Sequence, residues 1–171
     1  AYQLESKINI INDIINKCVN KEKDSIMFCF GEVDCRVHLI EQSKKQNKTI
    51  KEIVKECVDR YISVIKIYKN NGYNVIAWGP IASWNGLKPY TGPSYGSCYE
   101  RNIVTKEFND YLKKLCEDEG IKFISIFYKM VDANLITYID YLDDWQDCHI
   151  HLNQKSMPLI MDELKKKLLY V

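Results

Sequence analysis

A short stretch after the first apolar run of the chain concentrates side chains that can do chemistry. Residues 31–38 hold two carboxylates, a thiol, a guanidinium and an imidazole. Such groups bind polar substrates and move protons; the alternative is a charged surface loop with an internal ion pair. The groups belong to Glu32, Asp34, Cys35, Arg36 and His38.

A second cluster, residues 143–153, lies shortly before the last helical pattern and contains two of the three histidines. A carboxylate on one ring nitrogen of a histidine fixes the tautomer whose other nitrogen accepts a proton, as in a catalytic triad. Asp147, His149 and His151 supply these groups. The alternatives are a surface loop or a metal site made by the same three residues. We predict no metal, because no other cluster supplies the remaining ligands.

The cysteines offer a different nucleophile. Cys35 or Cys98 would serve if paired with a histidine, but a cysteine without a lowered pKa is usually an inert small hydrophobe. The seven cysteines are irregularly spaced, odd in number and without a Cys-x-x-Cys pair, which argues against a zinc module or a disulfide scaffold. We therefore predict a reducing, cytoplasmic environment.

Composition limits the classes of partner. The 171 residues carry 24 basic and 23 acidic side chains, a formal charge of +1, so no strong field favours a nucleic acid. No stretch has the roughly 20 consecutive apolar residues that a membrane span needs. Length and composition predict one domain over residues 1–171 that binds neither nucleic acid nor membrane.

Hydrophobic periodicity predicts helices that alternate with short buried strands. The capping-box pair Thr49 and Glu52 begins the second helix. A stretch rich in Gly, Pro, Trp and Tyr, residues 81–99, is predicted to be a long loop that lines a site. The predicted helices are residues 4–19, 49–68, about 99–118 and about 154–169, and the predicted strands are residues 25–30, 73–78 and 121–127.

This alternation is typical of an α/β fold with a parallel sheet covered on both faces. In such sheets, ligands bind beyond the carboxyl ends of the strands. We therefore expect three segments to converge there: residues 31–38, residues 79–96 and residues 128–151.

The order of these motifs resembles the SGNH, or GDSL-type, hydrolase superfamily. The motifs are Gly-x-x-Asp after a strand, Gly-Pro at 79–80, Glu-Arg-Asn at 100–102, Phe-Asn at 108–109, and Asp and His before the last helix. More narrowly, residues 30–36, Phe-Gly-Glu-Val-Asp-Cys-Arg, are similar to the Gly-Glu-Ile-Asp-Cys-Arg variant of SGNH-like domains linked to polysaccharide biosynthesis.

The resemblance implies a three-layer, flavodoxin-like α/β/α fold over residues 1–171. The family's first block, a Gly-Asp-Ser that carries the nucleophile, has no counterpart here, and neither does the oxyanion glycine of its second block. We therefore expect this single SGNH-like domain to lack its N-terminal strand, with the nucleophilic serine upstream of Ala1.

The family's remaining blocks are matched with changes. Where the third block has an oxyanion asparagine, the Gly-Glu-Val-Asp sequence offers Asp34, at most with Glu32. The fifth block, Asp-x-x-His, fits His151 as the base, but Cys148 stands three residues earlier, so a one-residue insertion is needed for Asp147 to orient the imidazole. His149 is the alternative base.

The resemblance implies an SGNH-like esterase or O-acyltransferase acting on carbohydrate acyl groups, without a cofactor. Its catalytic residues would be His151, Asp147 and Asp34. The alternative is a non-catalytic SGNH-like module, fused to or partnered with glycan-biosynthesis enzymes, that binds a sugar or a protein. The residues expected to bind a carbohydrate or another acylated small molecule are Gly31, Glu32, Arg36, His38 and His149.

Overall fold

Strands and helices alternate along the chain as the periodicity predicts. The computed structural model describes residue 1 and residues 3–84, 94–143 and 151–168. The strands are β1 (Ser25–Cys29), β2 (Asn74–Trp78) and β3 (Lys122–Ile124). The helices are α1 (Ile8–Cys18), α2 (Leu39–Gln46), α3 (Ile50–Asn70), α4 (Cys98–Asp118), α5 (Phe127–Met130) and α6 (Met157–Leu168).

The strands form one parallel sheet in the order β1-β2-β3. β1 pairs with β2 over its whole length, from Ser25 opposite Asn74 to Cys29 opposite Trp78. β3 pairs with the second half of β2 and ends with Ile124 opposite Trp78. The predicted α/β class with a parallel sheet is thus confirmed. The carboxyl ends of all three strands lie at one edge of the sheet.

The core lies on both sides of this sheet. Alternate residues of a strand point to opposite faces, so Val75 and Ala77 of β2 pack into the larger apolar cluster, which contains most buried residues of α3 and α4. Trp78 packs against a second cluster, where Leu159 and Ile160 of α6 also lie.

The third strand is shorter than predicted. The hydroxyl of Ser125 accepts a hydrogen bond from the Phe127 backbone N–H (3.2 Å), and the chain turns there into α5. Ile126 and Phe127 are fully buried in the second cluster. An apolar run buried in a turn looks like a buried strand in the sequence, which explains the difference.

The stretch after β1 is helical rather than an open loop. Asp34–His38 form a π-helical turn that leads into α2, and the Leu39 N–H donates to the Asp34 carbonyl. Such wide turns are rare in proteins, and those that occur often lie at functional sites. The turn begins beside Gly31. Its φ is +109°, and a Cβ added there would lie only 2.7 Å from Phe108 Cζ, so both the backbone conformation and the available space require glycine.

Within the described ranges, no helix is both long and apolar enough to cross a membrane.

Candidate functional site

A cavity of about 390 Å³ opens where β1 and β2 end. Its walls are mostly apolar, and the polar side chains on it are Glu32 and His151. The cavity is lined by Cys29, Phe30, Glu32, Trp78, Pro80, Ile81, His151 and Leu152. Pockets with apolar walls and a few convergent polar groups are typical binding sites for small molecules.

Arg36 fixes Glu32 at the edge of this cavity. The Arg36 Nε–H donates to Glu32 Oε1 over 2.6 Å, across one turn of the helical segment. The Arg36 carbonyl accepts the Tyr95 N–H (2.9 Å), which ties this turn to the chain before α4. Glu32, Arg36 and Arg101 also line a smaller cavity of about 20 Å³, enough for one water molecule.

His151 is held by backbone pairing rather than by burial. Its side chain is exposed, and its carbonyl accepts the Asp143 N–H (2.7 Å). Leu142 and Leu152 form an isolated antiparallel bridge beside it. The imidazole can therefore turn at the mouth of the cavity while its backbone stays in place. Two further candidates, Asp147 and His149, lie outside the described residues.

Asp34 and His38 line a different cavity, of about 440 Å³, between the π-helical turn and the start of the chain. Asp34 is buried, and its carboxylate accepts a hydrogen bond from the backbone nitrogen of Ala1. The structure thus brings Glu32 and His151 together on one cavity and places Asp34 and His38 on another.

Arg101 bonds to residues that precede position 85 and to a residue that follows position 93. Its guanidinium donates to the Trp84 carbonyl (3.3 Å) and to the Ser83 hydroxyl (3.3 Å). It also donates to the Gly96 carbonyl (2.5 Å). Arg101 is 8% exposed, so these bonds form in a desolvated setting where they are strong.

Asn102 adds a second connection. Its Oδ1 accepts the Ser83 N–H (2.8 Å), and its Nδ2 donates to the Leu135 carbonyl (2.8 Å) and to Thr137 Oγ1 (2.9 Å). Thr137 in turn donates to the Ser83 carbonyl. We call Arg101, Asn102 and these partners the α4 clamp. It fixes Ser83 and the neighbouring cavity wall against α4.

Sequence reasoning noted Glu-Arg-Asn only as part of a motif and assigned the α4 clamp no role. The sequence did contain a signal. Polar residues recur along one face of α4, and the structure buries all four of them: Arg101, Asn102, Thr105 and Asn109. Buried polar side chains need partners, so such a face predicts bonds to neighbouring backbone.

The thiols of the region are not activated. Burial raises the pKa of Cys35 well above its usual value, and desolvation also raises the pKa of Cys29 and Cys98. A raised pKa keeps the thiol protonated and weakens it as a nucleophile. Among the described residues, no three metal-ligating side chains gather closely enough to hold a metal ion.

The cavity therefore offers an exposed imidazole, a carboxylate anchored by a guanidinium, and an apolar wall. An imidazole can take a proton from a hydroxyl, and Glu32 can accept hydrogen bonds from substrate hydroxyls. The described residues that line the cavity do not include a serine.

Comparisons with known proteins bear on the fold alone. No protein-family model matches the chain, and no curated protein matches it. A solved crystal structure is similar, with a TM-score of 0.56 and 13% sequence identity. The match covers 94% of this chain and 66% of the other, so the chain spans slightly less than two thirds of that protein.

Proposed function

We propose that residues 1–171 carry the base and part of the substrate pocket of an SGNH-like esterase or O-acyltransferase that acts on carbohydrate acyl groups. In this proposal the three-stranded sheet belongs to a three-layer, flavodoxin-like α/β/α domain. His151 is the general base, Glu32, which Arg36 holds in place, binds substrate hydroxyls, and a serine outside this chain is the nucleophile.

The observation that carries the proposal is the shared cavity of Glu32 and His151 at the carboxyl ends of the parallel strands. These residues are 119 positions apart in the sequence, counted as 151 minus 32. Ligands of open parallel sheets bind at this edge. Trp78 and Phe30 on the same cavity supply aromatic surface, which suits the apolar faces of a sugar or an acyl group.

The proposed reaction has two steps, acylation of the serine and deacylation. The serine oxygen attacks the acyl carbonyl while its proton passes to His151, and the imidazolium then gives that proton to the departing sugar oxygen. Water, or an acceptor hydroxyl, next attacks the acyl-enzyme, with His151 again taking and returning the proton. Hydrolysis releases a carboxylic acid, and transfer yields a new ester.

A non-catalytic sugar-binding module is the second candidate. The observation that favours it is that the described residues lining the cavity include neither a serine nor an activated thiol. Glu32, held by Arg36, and Trp78 would bind a sugar equally well without any reaction.

Fluorophosphonate labelling of the longest natural polypeptide that contains this chain separates the two candidates. An esterase or acyltransferase is expected to be labelled on one serine, and mass spectrometry identifies that residue. Labelling on a serine outside residues 1–171 that disappears in His151→Ala supports the enzyme. A folded polypeptide that remains unlabelled but binds acetylated sugars supports the module.

His151→Ala should lower turnover of acetylated sugars by a factor of roughly 10⁴ or more, because the serine loses its base. The matched control is His38→Ala, an exposed histidine on the other cavity, which should retain activity. Both variants should unfold at the wild-type temperature, since neither side chain is buried. Equal turnover in the two variants would remove His151 from the mechanism.

Asp34→Asn tests the role that the family resemblance implies for this residue. Asp34 lines a cavity without His151, so we expect less than about a tenfold change in turnover of the folded variant. A large rise in turnover would instead place this position at the oxyanion, where an amide donates and a carboxylate repels.

A further inference from the structure

A groove runs along the outer edge of β3, between α4 and α6. It consists of two cavities, of about 220 Å³ and about 380 Å³, which share the lining residues Lys113, Phe123 and Lys167. α4 packs on one face of the sheet and α6 on the other, so the walls of the groove come from both faces. Among the described residues, none lines both this groove and the cavity of Glu32 and His151.

Lysines from three elements line this groove, which we call the lysine groove. Lys113 and Lys166 each pair with a carboxylate on their own helix. Lys122 of β3 and Lys167 of α6 form no ion pair with any residue that the structure describes. A cleft lined by charges of one sign raises the local concentration of the opposite ion, so these two ammonium groups attract an anion.

Two carboxylates on the larger helices that line the lysine groove are neutralised by other side chains. Asp110 accepts hydrogen bonds from Lys106 Nζ (2.8 Å) and from the Tyr128 hydroxyl (2.5 Å). Glu163 pairs with Lys129 over 2.9 Å. Lys106 and Lys129 lie outside the lining, so they add positive charge around the groove rather than in it.

β3 and the turn after it supply uncharged donors. The Gly79 N–H donates to the Ile124 carbonyl (2.8 Å), so the backbone groups of Ile124 face β2. Backbone groups of successive strand residues point to opposite sides, which directs the Phe123 N–H to the outer edge, where the groove runs. The Ser125 hydroxyl, which accepts the Phe127 N–H, also lines the groove and can donate its own proton.

We propose that the lysine groove binds a phosphate dianion, either free or as the monoester of a small molecule. The phosphate lies where the two cavities meet, at Phe123 and Lys167. Lys122 and Lys167 neutralise its charge, and the Phe123 N–H and the Ser125 hydroxyl donate hydrogen bonds to its oxygens. The body of an ester occupies the rest of the groove, beside the ring of Tyr128.

The residue types favour a phosphate over a carboxylate. A lysine ammonium is a compact point charge that binds phosphate oxygens from any direction, whereas the planar fork of arginine matches a planar carboxylate. The described lining of the groove includes lysines but no arginine. The two charges of a phosphate dianion also match the two lysines without a carboxylate partner. This site does not depend on the proposed activity, because its test reads lysine reactivity.

Lysine footprinting tests the site. The longest natural polypeptide that contains this chain is acetylated with an N-hydroxysuccinimide ester, with and without glycerol 3-phosphate, and mass spectrometry gives the rate at each lysine. We expect Lys122 and Lys167 to react at least about fivefold more slowly with the probe, because a bound anion keeps an ammonium protonated. Lys114 and Lys165, exposed on the same two helices but outside the groove, are the reference and should react equally in both.

Inorganic phosphate is the second probe, and it separates the two sources of the ligand. Tighter binding of glycerol 3-phosphate than of inorganic phosphate assigns the groove to a monoester. Tighter binding of inorganic phosphate assigns it to the free ion. Calorimetry on the same polypeptide measures both affinities.

Two double variants with the same change in charge locate the binding. Lys122→Gln combined with Lys167→Gln should weaken binding of the better probe at least about tenfold, because two charge-assisted hydrogen bonds are lost. Lys114→Gln combined with Lys165→Gln should leave the affinity within about twofold of the wild type. All four lysines are exposed, so both variants should unfold at the wild-type temperature.

Three results would overturn the proposal. Unchanged acetylation of Lys122 and Lys167 with both probes at millimolar concentration would show that the groove binds no phosphate. Equal loss of affinity in the two double variants would show general attraction by surface charge. Acetate binding as tightly as the better phosphate probe would show that the groove does not select phosphate.

Discussion

The α4 clamp and the turn after β1 are both rich in polar side chains, but they differ in what those side chains contact. Arg101 and Asn102 are buried and bond to backbone carbonyls and amides on both sides. Glu32 is bound to Arg36 but keeps 37% of its side chain exposed, and His38 is exposed. The clamp therefore sets the shape of the site, and the turn offers groups to a ligand.

Removing a clamp residue should have the largest effect on stability. Asn102→Ala leaves the Ser83 amide and the Leu135 carbonyl without their buried partner, which should lower the free energy of unfolding by about 3 kcal/mol. Urea denaturation followed by circular dichroism measures this. A loss below about 1 kcal/mol would mean that water replaces the amide and that the clamp is not rigid.

Gly31→Ala probes the junction where the turn meets α4. An added Cβ would lie 2.7 Å from Phe108 Cζ and 2.9 Å from Pro80 Cγ, at a φ of +109°. We expect the free energy of unfolding to fall by at least about 2 kcal/mol.

Gly72→Ala is the matched control for that variant. Gly72 also has a positive φ, +84°, but an added Cβ there would meet no atom within 4 Å. Strain alone should cost about 1 kcal/mol. Equal losses in the two glycine variants would show that contact with α4 does not constrain the turn.

Glu32→Gln should have the smallest effect on stability. The Glu32–Arg36 pair lies one helical turn apart and its carboxylate is partly exposed, so its loss should change the free energy of unfolding by less than about 0.5 kcal/mol. Binding of acetylated sugars, measured by calorimetry, should weaken several-fold in the same variant. A large loss of stability without a change in binding would make Glu32 structural, like the clamp.

Local patterns determined the main elements of this protein. The helix predicted over residues 49–68 is α3, and the strands predicted over 25–30 and 73–78 are β1 and β2, each within two residues at either end. Apolar period, capping residues and Gly or Pro breakers are encoded in neighbouring residues, so one sequence is enough to find them. The same alternation predicted the parallel sheet.

Only the tertiary structure decided which polar residues share a cavity. Asp34 is two residues from Glu32, yet the π-helical turn directs them to different cavities. His151 joins Glu32 from far along the chain because the backbone of residues 151–153 pairs near Leu142. The apolar run at residues 121–127 likewise ends as a strand after Ile124, since Phe127 is buried in a helix. The cavity that a side chain faces and the residues it lies near depend on packing between distant segments, and local spacing in the sequence does not encode them.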